Sequence, residues 1–377
     1  MSLYVHLPWC VQKCPYCDFN SHKVGNNAPF DRYVAALISD LEAEAGEAAG
    51  RPIKSIFLGG GTPSLFSPEK IAAVLDAGRA MLALSGECEI TMEANPGTLE
   101  HGSLKAYRDA GITRLSLGAQ SFDAGMLRSL GRIHGPDEIS NAYAKAEAAG
   151  FDSINIDLMF ALPGQSLDMA MADIDRLLEI SPPHVSYYQL TLEPNTVFYR
   201  QPPKAIPDDD TAWSVQEQGQ KKLTAAGYEQ YEISAFAKPG QRCQHNLNYW
   251  QFGDYLAAGA GAHGKLTDFH GQVRRYRKPA NPQQFMEQVE RGAGRVVATP
   301  VGDDELGFEF MLNVLRLSDG FTAELLRERT GLEMTALAAP LRKALDEGLL
   351  EQLAPRRWRP TPTGFRFLND LQAQFLP

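Results

Sequence analysis

The chain has 377 residues, 44% hydrophobic and 22% charged, and a formal net charge of −10, enough length for a large core and two domains. The acidic balance excludes a dedicated nucleic-acid binder, which needs a basic excess to displace counterions from phosphate. No run approaches the roughly 18 consecutive apolar residues of a transmembrane segment, and the first strand begins too early for a cleavable leader, so a cytoplasmic location is expected.

That first strand is the apolar run Leu3-Tyr4-Val5-His6-Leu7, and Cys10, Cys14 and Cys17 follow it directly. Two disulfides would need four cysteines, and only Cys88 and Cys243 stand elsewhere. A structural zinc site takes four ligands, usually as two separated pairs. Cys14-Pro-Tyr-Cys17 has redox-pair spacing, but redox pairs follow a different strand context and lack a cysteine at the place of Cys10. Three thiolates on one short loop suit a [4Fe–4S] cube with its fourth iron open. Such usage of cysteine fits a reducing compartment.

Phe30, Tyr33, Val34, Leu37, Ile38 and Leu41 then recur at helical spacing. A strand over Ile53–Leu58 runs into Gly59-Gly60-Gly61-Thr62-Pro63, and Ser67-Pro68 marks a helix start. Further strands are expected at Glu87–Glu93, Thr113–Gly118, Ser153–Leu158 and His184–Leu190, with helices between. Six strand–helix units predict an α/β fold with a parallel sheet, helices outside and chemistry at the strand C-termini.

Beyond residue 200 the pattern loosens. Pro202 to Asp210 reads as a connector, Gly227–Ile233 as a strand, and Asp254–Gly264 as a loop of small residues. Helices over Asp303–Leu317 and Thr335–Glu347, two short strands and a helix from Thr363 resemble a winged helix. From Asp303 onward nine Lys/Arg face twelve Asp/Glu, so docking or a lid is favoured over DNA binding.

The segment Tyr4-Val-His-Leu-Pro-Trp-Cys10-x3-Cys14-Pro-Tyr-Cys17 resembles the cluster loop of the radical S-adenosylmethionine (SAM) superfamily. The resemblance implies an open (β/α)6 TIM-like barrel over residues 1–235 and a connecting region over 236–300. A small winged-helix-like α+β module follows over 301–377. It implies that Cys10, Cys14 and Cys17 hold a [4Fe–4S] cluster whose fourth iron SAM chelates. Gly60, Gly61 and Thr62 match the motif that meets the methionyl amino group. Glu93, in Glu-x-x-Pro, matches another SAM contact, and Tyr4 a tyrosine beside the first SAM. Gln120, Arg132 and Asp157 match positions linked to a second SAM.

Within the superfamily the chain is similar to the branch around oxygen-independent coproporphyrinogen III dehydrogenase. That enzyme has a fourth cysteine where Phe19 stands and carries an N-terminal extension, whereas here the cluster strand starts at residue 3. Both departures resemble the HemW family of haem chaperones, as does His245-Asn246-x-x-Tyr249-Trp250. The resemblance implies haem b as cargo, acceptor haemoproteins such as respiratory enzymes, an electron donor for the cluster, and an option of homodimerisation. In that reading SAM serves binding, dimerisation or a redox trigger. His245 would offer an imidazole to haem iron, with Tyr249 and Trp250 as flat faces. His263 and Cys243 are further candidates. The bland alternative has His245 bonding the barrel rim and Trp250 packed inside. The competing activity is radical oxidative decarboxylation of coproporphyrinogen III.

Overall fold

The computed structural model describes residues 1–101, 103–294 and 297–377. Six strands pair parallel in chain order: β1 Ser2–Leu7, β2 Ile53–Gly60, β3 Leu84–Ala94, β4 Arg114–Gln120, β5 Ser153–Phe160 and β6 His184–Gln189. Successive side chains on a strand point to opposite faces. Val5, Leu58, Met92, Leu117, Ile156 and Val185 lie outward, in one apolar cluster with helices such as Phe30–Ala48 and Pro68–Met81. The alternate positions point inward and are mostly polar: His6, Ser55, Glu93, Ser116, Asn155, Asp157 and Ser186. A closed TIM barrel fills its interior with branched apolar side chains. This half-barrel keeps its interior for polar contacts, as a cofactor-binding scaffold requires.

The sheet extends past both ends of the half-barrel. β7 Glu229–Glu232 and β8 Ala235–Ala237 add antiparallel at the β6 edge. At the other edge β9 Tyr255–Ala258 runs parallel to β1. β10 His263–Thr267, β11 Val273–Arg277 and β12 Val297–Pro300 follow antiparallel, giving twelve strands in linear order. The expected loop at Asp254–Gly264 is therefore corrected, since its first half is a buried strand. Its small residues let the helix Phe30–Ala48 come close. Tyr33 Oη accepts the N–H of Ala260 at 2.8 Å, and Asp40 accepts that of Gly259 at 3.0 Å. Lys278, just past β11, is buried against Asp40 and Glu44 of the same helix. Isolated buried charges are costly, and this mutual pairing offsets that cost.

The C-terminal module has helices Asp303–Val314, Ala323–Thr330 and Ala338–Asp346 and a small sheet. The sheet joins Phe321–Thr322 to the hairpin Leu350–Ala354/Arg357–Pro360, a winged-helix arrangement. Its own apolar cluster takes in Phe252 and Val273 of the larger body. Arg316 stacks over Trp250 at 4.2 Å and pairs with Glu232 at 3.4 Å. These contacts lie at the N-terminal end of β1 and β2. Through these contacts the module packs beneath the barrel, against the helix-bearing end away from the cluster loop.

Candidate functional site

The three cysteines lie on a loop whose ends are zipped together. Trp9–Cys10 pairs with His22–Lys23, and the N–H of Val24 donates to the carbonyl of Cys10 at 2.8 Å. Lys13 Nζ reaches back to the carbonyls of Phe19 (3.0 Å) and Ser21 (3.3 Å). All three thiols are free and half-buried. Among the described residues no three His, Cys, Asp or Glu side chains converge as ligands of one ion. A [4Fe–4S] cube gives each cysteine its own iron, so it does not require the three thiols to converge on one ion. Burial pushes the Cys10 and Cys17 thiols up, so metal binding there must displace protons. Arg132 Nη1 lies 3.6 Å from Cys14 Sγ.

The glycine turn at the end of β2 is laid against this loop. The N–H of Gly61 donates to the carbonyl of Leu7 and that of Thr62 to the carbonyl of Trp9, both at 2.8 Å. A Cβ on Gly61 would lie 2.6 Å from the Trp9 oxygen. Gly60 has φ of 106°, and a Cβ there would stand 2.2 Å from the His6 ring. Glycine is therefore required by the packing of cluster loop on turn, apart from any ligand.

Below the turn, Glu93 accepts the N–H of Gly60. Burial, and then the nearby Asp157, push its carboxyl up to about 8. Asp157 is also raised by burial, and it accepts from Asn155 (2.7 Å) and Ser116 (3.4 Å). Two carboxylates held in a poorly solvated interior favour a cationic ligand group. Gln120, in the left-handed region at φ 75°, accepts the Tyr188 hydroxyl at 2.6 Å. Arg132 donates to the carbonyl of Gly118 at 2.6 Å, and its Nε is buried without a partner among the described residues. Cys14, Thr62 and Arg132 line one cleft with Gln12 and Asn95. Tyr4 lies deeper, its hydroxyl 3.1 Å from His6 Nδ1 and its ring against Phe57.

The fold thus brings the three cysteines and the eight residues expected at SAM to one barrel interior and its mouth. Sequence reading missed His6, Asn95, Asn155 and Tyr188. Their signal was available: polar residues at every second position of apolar strands, as in His184-Val-Ser186-Tyr-Tyr188.

The expected haem residues lie elsewhere. The helix Gln244–Trp250 seals the barrel floor, where Glu89 accepts the backbone N–H groups of Gln244 and His245, both at 3.1 Å. His245 is 1% exposed, with Nδ1 at 3.1 Å from Ser55 Oγ and its ring edge-on to Tyr249 at 4.9 Å. Burial drives its pKa down to about 3, and as folded it offers no open side to a macrocycle. Trp250 faces Arg316 of the C-terminal module. Cys243 is also buried, its thiol 3.4 Å from Glu89. His263 is exposed at the start of β10.

The family profile described as the radical SAM superfamily matches residues 4–177, and that of the HemN C-terminal domain matches residues 302–367. The chain is 48% identical over 378 residues to a protein of Escherichia coli (strain K12) named "Heme chaperone HemW", covering 100% of this chain and 98% of that one. Its namesake from Haemophilus influenzae is 45% identical over 380 residues, with the same coverage. One from Mycobacterium tuberculosis (strain ATCC 25618 / H37Rv) is 35% identical, covering 93% of this chain and 88% of that one. The solved structure of coproporphyrinogen III oxidase (HemN) from Escherichia coli superposes with a TM-score of 0.84, covering 99% of this chain and 89% of that one. At 22% identity that likeness establishes the fold alone.

Proposed function

We propose that this chain, which belongs to the HemW family, is a haem chaperone that binds haem and passes it to acceptor haemoproteins. The observation that carries this reading is the 48% identity to a named haem chaperone across the whole chain. Cys10, Cys14 and Cys17 would hold a [4Fe–4S] cluster. The free thiols, the loop zipped at both ends and the polar interior beside it fit that group. Tyr4, Gly60, Gly61, Thr62 and Glu93 would form the first SAM site, with Gln120, Arg132 and Asp157 further along the same interior. When bound, cluster and SAM supply one-electron chemistry.

The chain's own residues define what that site does. Glu93 presents its carboxylate to the cationic SAM, and Arg132 steadies the Cys14 sulfur and the loop carrying it. The glycine turn holds the cluster loop in place. Phe19 stands where the related dehydrogenase has a further cysteine, which supports carriage of haem over its synthesis. A setting in the reducing cytoplasm suits such a cluster, and respiratory enzymes are the proposed class of acceptor.

The test is anaerobic protein reconstituted with iron, sulfide and SAM, then given either haem or coproporphyrinogen III with a reductant. Stoichiometric haem binding without formation of protoporphyrinogen IX is expected. Catalytic appearance of protoporphyrinogen IX would replace this reading with that of a dehydrogenase.

A further inference from the structure

Haem carriage, on which this inference rests, needs a ligand that iron can reach, and the barrel mouth supplies one. His263 opens β10, is exposed, and its ring has no hydrogen-bond partner among the described residues. Directly opposite on β11 stands Arg277, also exposed and without an ion pair among the described residues. Residues opposed across an antiparallel pair project from the same face. Asn20 clamps the turn before β10 to the cluster loop, donating to the carbonyls of Ala260 (3.0 Å) and Ala280 (2.8 Å). Its neighbour Phe19 is 58% exposed. An imidazole, a guanidinium and an open aromatic ring therefore share one edge of the mouth, on the side of the cluster loop.

We propose that His263 is the axial ligand of the carried haem, with Arg277 holding a propionate and Phe19 lying against the macrocycle. Each part matches haem chemistry. A neutral imidazole ligates haem iron, a guanidinium pairs with a carboxylate through directed hydrogen bonds, and a phenyl ring covers an apolar face. Partial desolvation of the ring, and then the Arg277 and Arg275 charges, hold the His263 pKa below its ordinary value, which favours the neutral, ligating imidazole. An exposed ligand at a rim also suits cargo that must leave. His270, the other exposed imidazole among the described residues, sits at the far end of the same hairpin beside Phe269.

The test is titration of the full, cluster-loaded chain with ferric haem, read by the Soret band, the electron paramagnetic resonance of the haem and affinity. In the wild type a histidine-ligated spectrum is expected. His263→Ala should alter that spectrum and weaken binding by about tenfold or more, while retaining the cluster absorbance that reports a folded barrel. Arg277→Gln should weaken binding severalfold with the spectrum unchanged, and His270→Ala should leave both as they were. Wild-type spectrum and affinity in His263→Ala would overturn the assignment while leaving haem carriage standing. Absence of haem binding by the wild type would overturn both.

Discussion

Glu93 Oε2 accepts the backbone N–H of Gly60 at 3.1 Å, tying β3 to the glycine turn at the end of β2. Because burial and Asp157 raise the Glu93 carboxyl from 4.5 to about 8, it is mostly protonated at neutral pH in the ligand-free protein. Its stabilising contribution is fully present below pH 4.5 and is lost as pH rises through 8. A cationic ligand such as SAM, with its sulfonium, favours the ionised form, so binding releases a proton. SAM affinity, measured by equilibrium dialysis, is expected to rise with pH up to about 8 and then level off. In Glu93→Gln the affinity should be lower and the rise absent. A wild-type affinity flat across that window would remove Glu93 from contact with the cationic ligand.

Gly61 is fixed by the cluster loop itself. In Gly61→Ala the new methyl group would meet the Trp9 and Leu7 carbonyl oxygens at 2.6 and 2.7 Å, so the loop must shift. Reconstituted Gly61→Ala should hold markedly less iron and sulfide than wild type while keeping its circular dichroism. Gly60→Ala adds the strain of a positive φ, about 1–3 kcal/mol. Its midpoint of unfolding should fall as well.

Cys14→Ala should abolish the brown colour and charge-transfer absorbance of the cluster. Arg132→Met, which leaves all three thiols, should permit assembly but make the cluster more labile to oxygen or chelator. A full four-iron signal from Cys14→Ala would refute the ligand assignment.

His245 packs against Phe57 and Tyr249 in the barrel floor. His245→Ala opens a cavity there and is expected to destabilise the chain by about 2–4 kcal/mol in urea unfolding. Its haem spectrum should match wild type. Loss of haem from a variant still folded would return the imidazole to the iron.

The half-barrel was legible in the sequence because its strands carry apolar residues at alternate positions and glycine turns at their ends. The cluster loop was legible because all three ligands fall within eight residues. The strand Tyr255–Ala258 was not, because Ala-Ala-Gly-Ala has loop-like composition. That same smallness admits the helix Phe30–Ala48, and a Cβ on Gly259 would lie 2.4 Å from the His6 carbonyl oxygen. β11, Val-Arg-Arg-Tyr-Arg, was hidden by its arginines, two of which find Glu47 and Glu309 only in three dimensions. His245, Tyr249 and Trp250 look like a haem face when adjacent in sequence. Which end of the barrel they occupy depends on how the chain returns to pair β9 with β1, and local pattern does not encode that return.

Haem transfer tests the central claim most directly. Haem-loaded protein, mixed anaerobically with an apo-haemoprotein on the other side of a size-selective separation, should lose its haem to the acceptor as the acceptor's own spectrum develops. The rate should exceed that of haem released from a non-specific carrier such as albumin. Haem that stays bound, or reaches the acceptor no faster than from albumin, would contradict the account.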